Sequence, residues 1–263
     1  MGLVDAVRNL QFSGLGPRGD PVAIRAVTFD LWNTIYDDDV GSDRVRKETR
    51  RDLIYKAFSE WGVNTARDDL NSVLNRVEKR ADHEWAVNCR TVGARERIDS
   101  ALSFFGFCVS PSLLGVLVDQ VEDVTAGIPP RPFSGADKVL GFLAERHPLG
   151  LISDTGVTPG RVLRNVLQRD GLLKYFSALT FSDEIGVSKP HERAFRSTLD
   201  ALKVSPGETV HVGDNEMTDI HGALRCGMKV LHISRKVSDK HCFNKDYFRA
   251  NDLDGILSLF DRI

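Results

Sequence analysis

In the second half of this chain, the short apolar runs Leu149 to Ser153, Ala178 to Phe181, Thr209 to Val212 and Val230 to Ile233 alternate with segments of helical character. Parallel strands cannot be joined by a tight hairpin; each pair needs a crossover, normally a helix. The alternation therefore predicts a doubly wound parallel α/β sheet with a Rossmann-like layout. Ile24 to Phe29 reads as one more buried strand of the same sheet. Among the helices, one is expected to start at Thr158-Pro159, as N-cap and first-turn proline. Another should open at Pro190 and run to about Leu202, and a third should run from about Glu216 to Cys226.

Between the first strand and the others the character changes. From about residue 43 to 125 the period is helical: Ile54, Phe58 and Trp61 share one face, and Leu70, Val73, Leu74 and Val77 share another. Gly62, Gly93, Gly106 and Pro111 divide this stretch into four expected helices. The division that follows is a turn-rich lead-in at 1–21, an α/β core made of 22–39 and 131–263, and an inserted all-helical domain at 40–130. In the lead-in, Leu3, Val7 and Leu10 suit one short amphipathic helix ahead of Gly14, Gly16, Pro17, Gly19 and Pro21.

Composition narrows the function. Over 263 residues, 41% are hydrophobic, 27% are charged and the formal net charge is -2. That balance provides no electrostatic footprint for nucleic acid or an anionic membrane, which needs an excess of Lys and Arg. The apolar runs are too short to span a bilayer and the N-terminus lacks a signal-type apolar core. A cytoplasmic protein is expected, with Cys89, Cys108, Cys226 and Cys242 as free thiols. Oligomeric state is not legible.

Ligands of an open parallel sheet bind beyond the carboxyl ends of its strands. There the first strand delivers Asp30, Trp32, Asn33 and Thr34, and the next delivers Ser153 and Asp154. Lys189 follows the third, and the strand at 209–212 delivers Gly213, Asp214 and Asn215, with Asp219 a helical turn further on. Carboxylates gathered this closely repel one another unless a cation lies among them. An all-oxygen set suits a hard ion, and magnesium binds through one or two carboxylates together with substrate phosphate. Ser153 and Lys189 add donors for the oxygens of a transferring phosphoryl group.

Four segments in order carry a family resemblance. Phe29-Asp30-Leu31-Trp32-Asn33-Thr34, Ile152-Ser153-Asp154, Ser188-Lys189-Pro190 and Gly213-Asp214-Asn215-Glu216-Met217-Thr218-Asp219 resemble the four motifs of the haloacid dehalogenase-like hydrolase superfamily. The helical insertion is similar to that family's C1-type cap. The resemblance implies that Asp30 attacks and forms an aspartyl intermediate, while Ser153 and Lys189 hold the transferred group. It further implies that Asp30, the backbone carbonyl of Trp32 and Asp214 bind Mg2+, with Asp219 nearby, and that Thr34 braces the turn. The implied activity is hydrolysis of a small phosphorylated metabolite.

One position departs from the family pattern. Phosphatases of this family carry a second Asp two residues after the nucleophile, which protonates the leaving oxygen; here that residue is Trp32. General acid–base help is worth about 10²–10⁴-fold. A substitute acid is expected from Asp37, Asp38, Asp39, His83 or Glu84, or the substrate has a good leaving group. The alternatives are a metal-independent 2-haloacid dehalogenase and a weakly catalytic binder of phosphorylated ligands. Gly213-Asp214 with Asp219 retains the metal-holding acids and favours the phosphatase. Trp32 is expected to pack against the cap. The basic run Arg44, Arg46, Lys47, Arg50 and Arg51 reads as a solvated helix face, Asp154 as a turn residue, and His191, His211 and His221 as structural.

Overall fold

The computed structural model describes residues 23–37, 40–234 and 246–260. The lead-in with Leu3, Val7 and Leu10, together with Asp38, Asp39 and Cys242, lies outside the described residues.

At the centre is β1 (Ala26–Phe29), four residues without an exposed side chain. It pairs in parallel with β4 (Leu149–Ser153) on one side and β6 (Thr209–Gly213) on the other. Beyond β4 lies β5 (Phe176–Phe181), and beyond β6 lie β7 (Lys229–Ile233) and β8 (Tyr247–Ala250), all parallel. The order β5-β4-β1-β6-β7-β8 is the doubly wound sheet that the alternation implied. Continuous apolar strands are what such a sheet needs, because helices cover both faces. Val27, Phe29, Leu151, Val210, Val212 and Leu231 form its buried core. Strand order reverses direction at β1, so the crevice past its end is a topological switch point.

The chain leaves the sheet through β2 (Tyr36–Asp37) and returns through β3 (Arg131–Pro132), which pair antiparallel. That ribbon sets the exit and re-entry of the intervening segment side by side. Between them run α1 (Val40–Glu60), α2 (Arg67–Asn88), α3 (Ala94–Phe104) and α4 (Pro111–Gly127). These helices bury a cluster of their own, with Ile54, Phe58, Leu70, Ile98, Leu102 and Leu117 at its heart. The glycine breaks fall as the spacing predicted: Gly62 and Gly106 take positive φ just after α1 and α3. No helix among the described residues is long and apolar enough to cross a membrane.

Local signals were overridden in several places. The helix expected at Thr158 begins at Gly160, because Thr158 Oγ1 bonds to the Arg50 guanidinium at 2.8 Å and to Thr125 Oγ1 at 2.8 Å. A partner across the layer interface displaced the local cap. The helix expected at Pro190 begins at Glu192, where the His191 side chain accepts from the Arg193 N–H at 3.1 Å. The segment after Asn215 opens as a π-helix, Glu216–Ile220, before one α-helical turn. Asn215 Oδ1 accepts from both Met217 and Thr218 N–H groups there. Nor is the basic run of α1 simply solvated: Lys47 and Arg51 pair with Glu78 of α2, and Arg46 is buried with its guanidinium 3.3 Å from the Ile128 carbonyl. Only Arg44 keeps the expected exposed character, beside Glu48. Cys89, Cys108 and Cys226 are free thiols.

Candidate active site

The ends of β1, β4 and β6 set their acids into one crevice. Asp30 directly follows β1, its N–H donating to the Val212 carbonyl at 2.9 Å, and its side chain is buried. The turn beyond it is held by the backbone: Asn33 takes a positive φ of 56°, and Ile35 and Tyr36 N–H groups both donate to the Leu31 carbonyl at 2.9 Å. Thr34 does not brace this turn through its hydroxyl, which is buried without a hydrogen-bond partner among the described residues.

Lys189 bridges two carboxylates. Its Nζ donates to Asp30 Oδ1 and to Asp219 Oδ1, each at 2.6 Å, and all three side chains are almost fully buried. Asp219 is occupied on its other oxygen too, where the Asn215 N–H donates at 3.0 Å. His211 Nε2 lies 3.4 Å from Oδ1, and its Nδ1 is 2.9 Å from Thr28 Oγ1, so the buried ring is held between β1 and Asp219. Carboxylate oxygens of Asp30, Asp214 and Asp219 lie within 4.8 Å of one another. The approach of Asp219 depends on Gly213: a Cβ there would stand 2.5 Å from the Asp219 Cβ and Cγ.

The charges are unequal in consequence. Burial, reinforced by the Asp219 and Asp214 charges, pushes the Asp30 carboxyl well above the usual carboxylate range despite Lys189. Burial works against Asp219 as well, but the Lys189 ammonium and His211 hold it below that range. Burial likewise opposes the Lys189 charge, yet Asp219, Asp30 and Asp154 keep it firmly protonated. Three acids meet one base here. An all-oxygen donor set with surplus negative charge beside Asp214 fits a hard divalent cation.

Asp154 does more than make a turn. Its Oδ1 accepts the Lys189 N–H at 2.8 Å and its Oδ2 accepts from the Trp85 indole of α2 at 2.9 Å. Burial raises its pKa. Further ties cross the same boundary: Thr91 Oγ1 to Ser182 Oγ at 2.5 Å, and the Ser188 N–H to the Cys89 carbonyl at 2.7 Å.

Asp30, Trp32, Asp154, Lys189, Asp214 and Asp219 all line the crevice, whose volume is about 490 Å³. Ser153 does not: it is buried, with Oγ donating to the Asp154 carbonyl at 3.3 Å. Trp32 is half-buried, packs against the core beneath the sheet and walls the crevice, rather than resting on the helical layer alone. Of the substitute acids, Asp37 is exposed on β2, and neither His83 nor Glu84 lines the crevice. The Glu84 carboxylate is instead held low by Asn88 and Arg90. The helical layer contributes Asp82, Trp85 and Arg97. None of these was singled out from the sequence, since only the fold turns α2 and α3 toward the strand ends.

A family model described as haloacid dehalogenase-like hydrolase matches residues 24–227. A glyceraldehyde 3-phosphate phosphatase of Methanopyrus kandleri is 30% identical over 244 residues, covering 90% of this chain and 96% of that protein. A phosphoserine phosphatase of Thermus thermophilus is 38% identical over 114 residues, 43% of this chain and 45% of that protein. Among solved structures, a 2-haloacid dehalogenase from Pseudomonas syringae superposes with a TM-score of 0.69 at 22% identity, over 91% of this chain and 99% of that one. This last likeness is one of fold.

Proposed function

The chain belongs to the haloacid dehalogenase-like hydrolases, and from that membership and the site geometry we propose that it is a magnesium-dependent phosphatase of a small phosphorylated metabolite. Residues 22–39 and 131–263 serve as its catalytic core and 40–130 as a cap. Asp30 is the nucleophile. Its carboxylate oxygen bonds to phosphorus while the ester P–O bond breaks, leaving an aspartyl phosphate and a departing oxyanion that takes its proton from water. Water then attacks that phosphorus, releasing inorganic phosphate and restoring Asp30.

Asp30, Asp214 and the backbone carbonyl of Trp32 hold the Mg2+, with Asp219 beside them. The ion, when bound, neutralises charge on the transferring phosphoryl oxygens. Lys189 keeps a fixed positive charge against the same oxygens and orients Asp30 through its 2.6 Å bond. Ser153 adds a donor once its Oγ leaves the Asp154 carbonyl. Trp32 offers no titratable proton, which favours substrates with a good leaving group.

The observation that carries this reading is the Asp30–Lys189–Asp219 bridge with Asp214 alongside, one cation short of balance. Hydrolysis of p-nitrophenyl phosphate should require magnesium and vanish in Asp30→Asn. Activity that survives excess chelator, or halide release from 2-chloro acids without metal, would overturn it in favour of the dehalogenase.

A further inference from the structure

The crevice does not end at the nucleophile. Trp32, Arg97 and Gly156 line it and also line a second cavity of about 320 Å³ between the helical layer and the segment after β4. The two spaces adjoin at these residues, and together they have the size of a small-metabolite site.

The second cavity is walled by the cationic side chains Lys47, Arg50, Arg51 and Arg97. Lys47 is committed to Glu78 at 2.7 Å, and Arg51 to Asn75 and Glu78. Arg50 bonds to the Val121 carbonyl, Thr125 and Thr158. Arg97 is different. Its Nε donates to the Val92 carbonyl at 2.7 Å, while its terminal nitrogens have no hydrogen-bond partner among the described residues. Burial acts against its charge, and Glu78, Asp82 and Glu96 support that charge only through space. Gly156 lies beside the guanidinium, where an added Cβ would be in ordinary van der Waals contact with one terminal nitrogen at 3.7 Å.

Arg97 is part-buried rather than sealed from solvent, and a charged acceptor set against its terminal nitrogens would form charge-assisted hydrogen bonds. A guanidinium edge matches two oxygens of a planar oxyanion. We propose that Arg97 is a specificity-determining residue that takes a second oxyanion, foremost a carboxylate, on a phosphate monoester whose phosphoryl group lies at Asp30. The substrate class is then a small phosphorylated carboxylic acid. This rests on the phosphatase reading above for its chemistry, although the binding contact stands apart from turnover.

A matched pair of esters tests it: 3-phosphoglycerate and glyceraldehyde 3-phosphate, which differ in carrying a carboxylate or an aldehyde. The wild-type protein should favour the acid in kcat/KM by about ten-fold or more, the scale of a charge-assisted bond. Arg97→Gln should collapse that ratio, chiefly by raising KM for the acid, and Arg97→Lys should restore part of it. Equal kcat/KM values in the wild type, or a preference that survives Arg97→Gln, overturn the proposal, and the wild-type comparison decides alone if the variants do not fold. If no ester is turned over, the phosphatase reading fails, and melting temperatures with 2-phosphoglycolate and with ethyl phosphate then decide. A larger rise with 2-phosphoglycolate that disappears in Arg97→Gln supports the contact; equal rises overturn it.

Discussion

The Trp85 indole on α2 and the Asp154 carboxylate at the end of β4 are joined by a 2.9 Å hydrogen bond across the boundary between helical layer and sheet. The other oxygen of Asp154 holds the Lys189 backbone, whose side chain bridges Asp30 and Asp219. A chain of contacts thus runs from α2 to Asp30. The placement of the helical layer and the orientation of the Asp30 carboxylate are mechanically linked.

Trp85→Phe keeps a ring in place and removes the donor. It should cost about 1–3 kcal/mol of stability, the penalty for a buried acceptor left unsatisfied. Urea denaturation followed by circular dichroism measures this. Kinetics should show kcat and KM for an aryl phosphate both worsening, because the tie that positions Lys189 is loosened together with the seating of the helical layer.

Lys189→Met strands two buried carboxylates. At neutral pH the loss should be about 3–5 kcal/mol, as for one partner removed from a buried pair. The sign with pH follows from Asp219, whose folded-state pKa is depressed. Its pairing contributes stability above the ordinary carboxylate pKa of about 3.9 and loses it as pH falls toward the lower folded-state value. Wild type and variant should therefore converge in acid, which urea titrations at stepped pH would detect.

Magnesium binding should release protons. Burial and neighbouring acids raise the Asp30 pKa well above the carboxylate range, so in the metal-free protein a proton competes with the ion for this side chain. Affinity should tighten from about pH 5 to about pH 8 and level off once Asp30 is already ionised. Magnesium titrations monitored by melting temperature provide the comparison, and calorimetry in buffers of different ionisation enthalpy counts the protons.

Trp32→Asp restores a titratable group two residues after the nucleophile. Turnover of an alkyl phosphate should rise by about ten-fold or more, within the range of general acid–base help. An aryl phosphate, which leaves without a proton, should change little. No gain with the alkyl phosphate would show that another group already serves.

The strand ends that meet at the crevice were legible because buried parallel strands leave an unbroken apolar signature and must stop where polar residues begin. Asp30, Lys189, Asp214 and Asp219 stand there in the structure, brought together as the strand pattern required. What was not legible depends on partners distant in sequence. Thr158 carries a good capping signal, but Arg50 takes its hydroxyl. Lys47 and Arg51 look like a solvated stripe until Glu78 of the next helix comes beside them. Arg97 lies on an ordinary amphipathic helix, and its meaning depends on where α3 points. Strand β8 was missed because four residues of mixed burial lack a clear period. Ser153 reached its expected position along the strand but faces its own loop.

Gly213 has a consequence for any attempt to reshape this enzyme. One added methyl group would collide with Asp219 at 2.5 Å, tilting the acid away from Lys189 and leaving the ammonium to lean on Asp30 alone. The mildest of replacements would therefore disturb Asp30 from across the crevice. Electrostatic balance in this protein is regulated, at that point, by empty space the width of a single carbon atom.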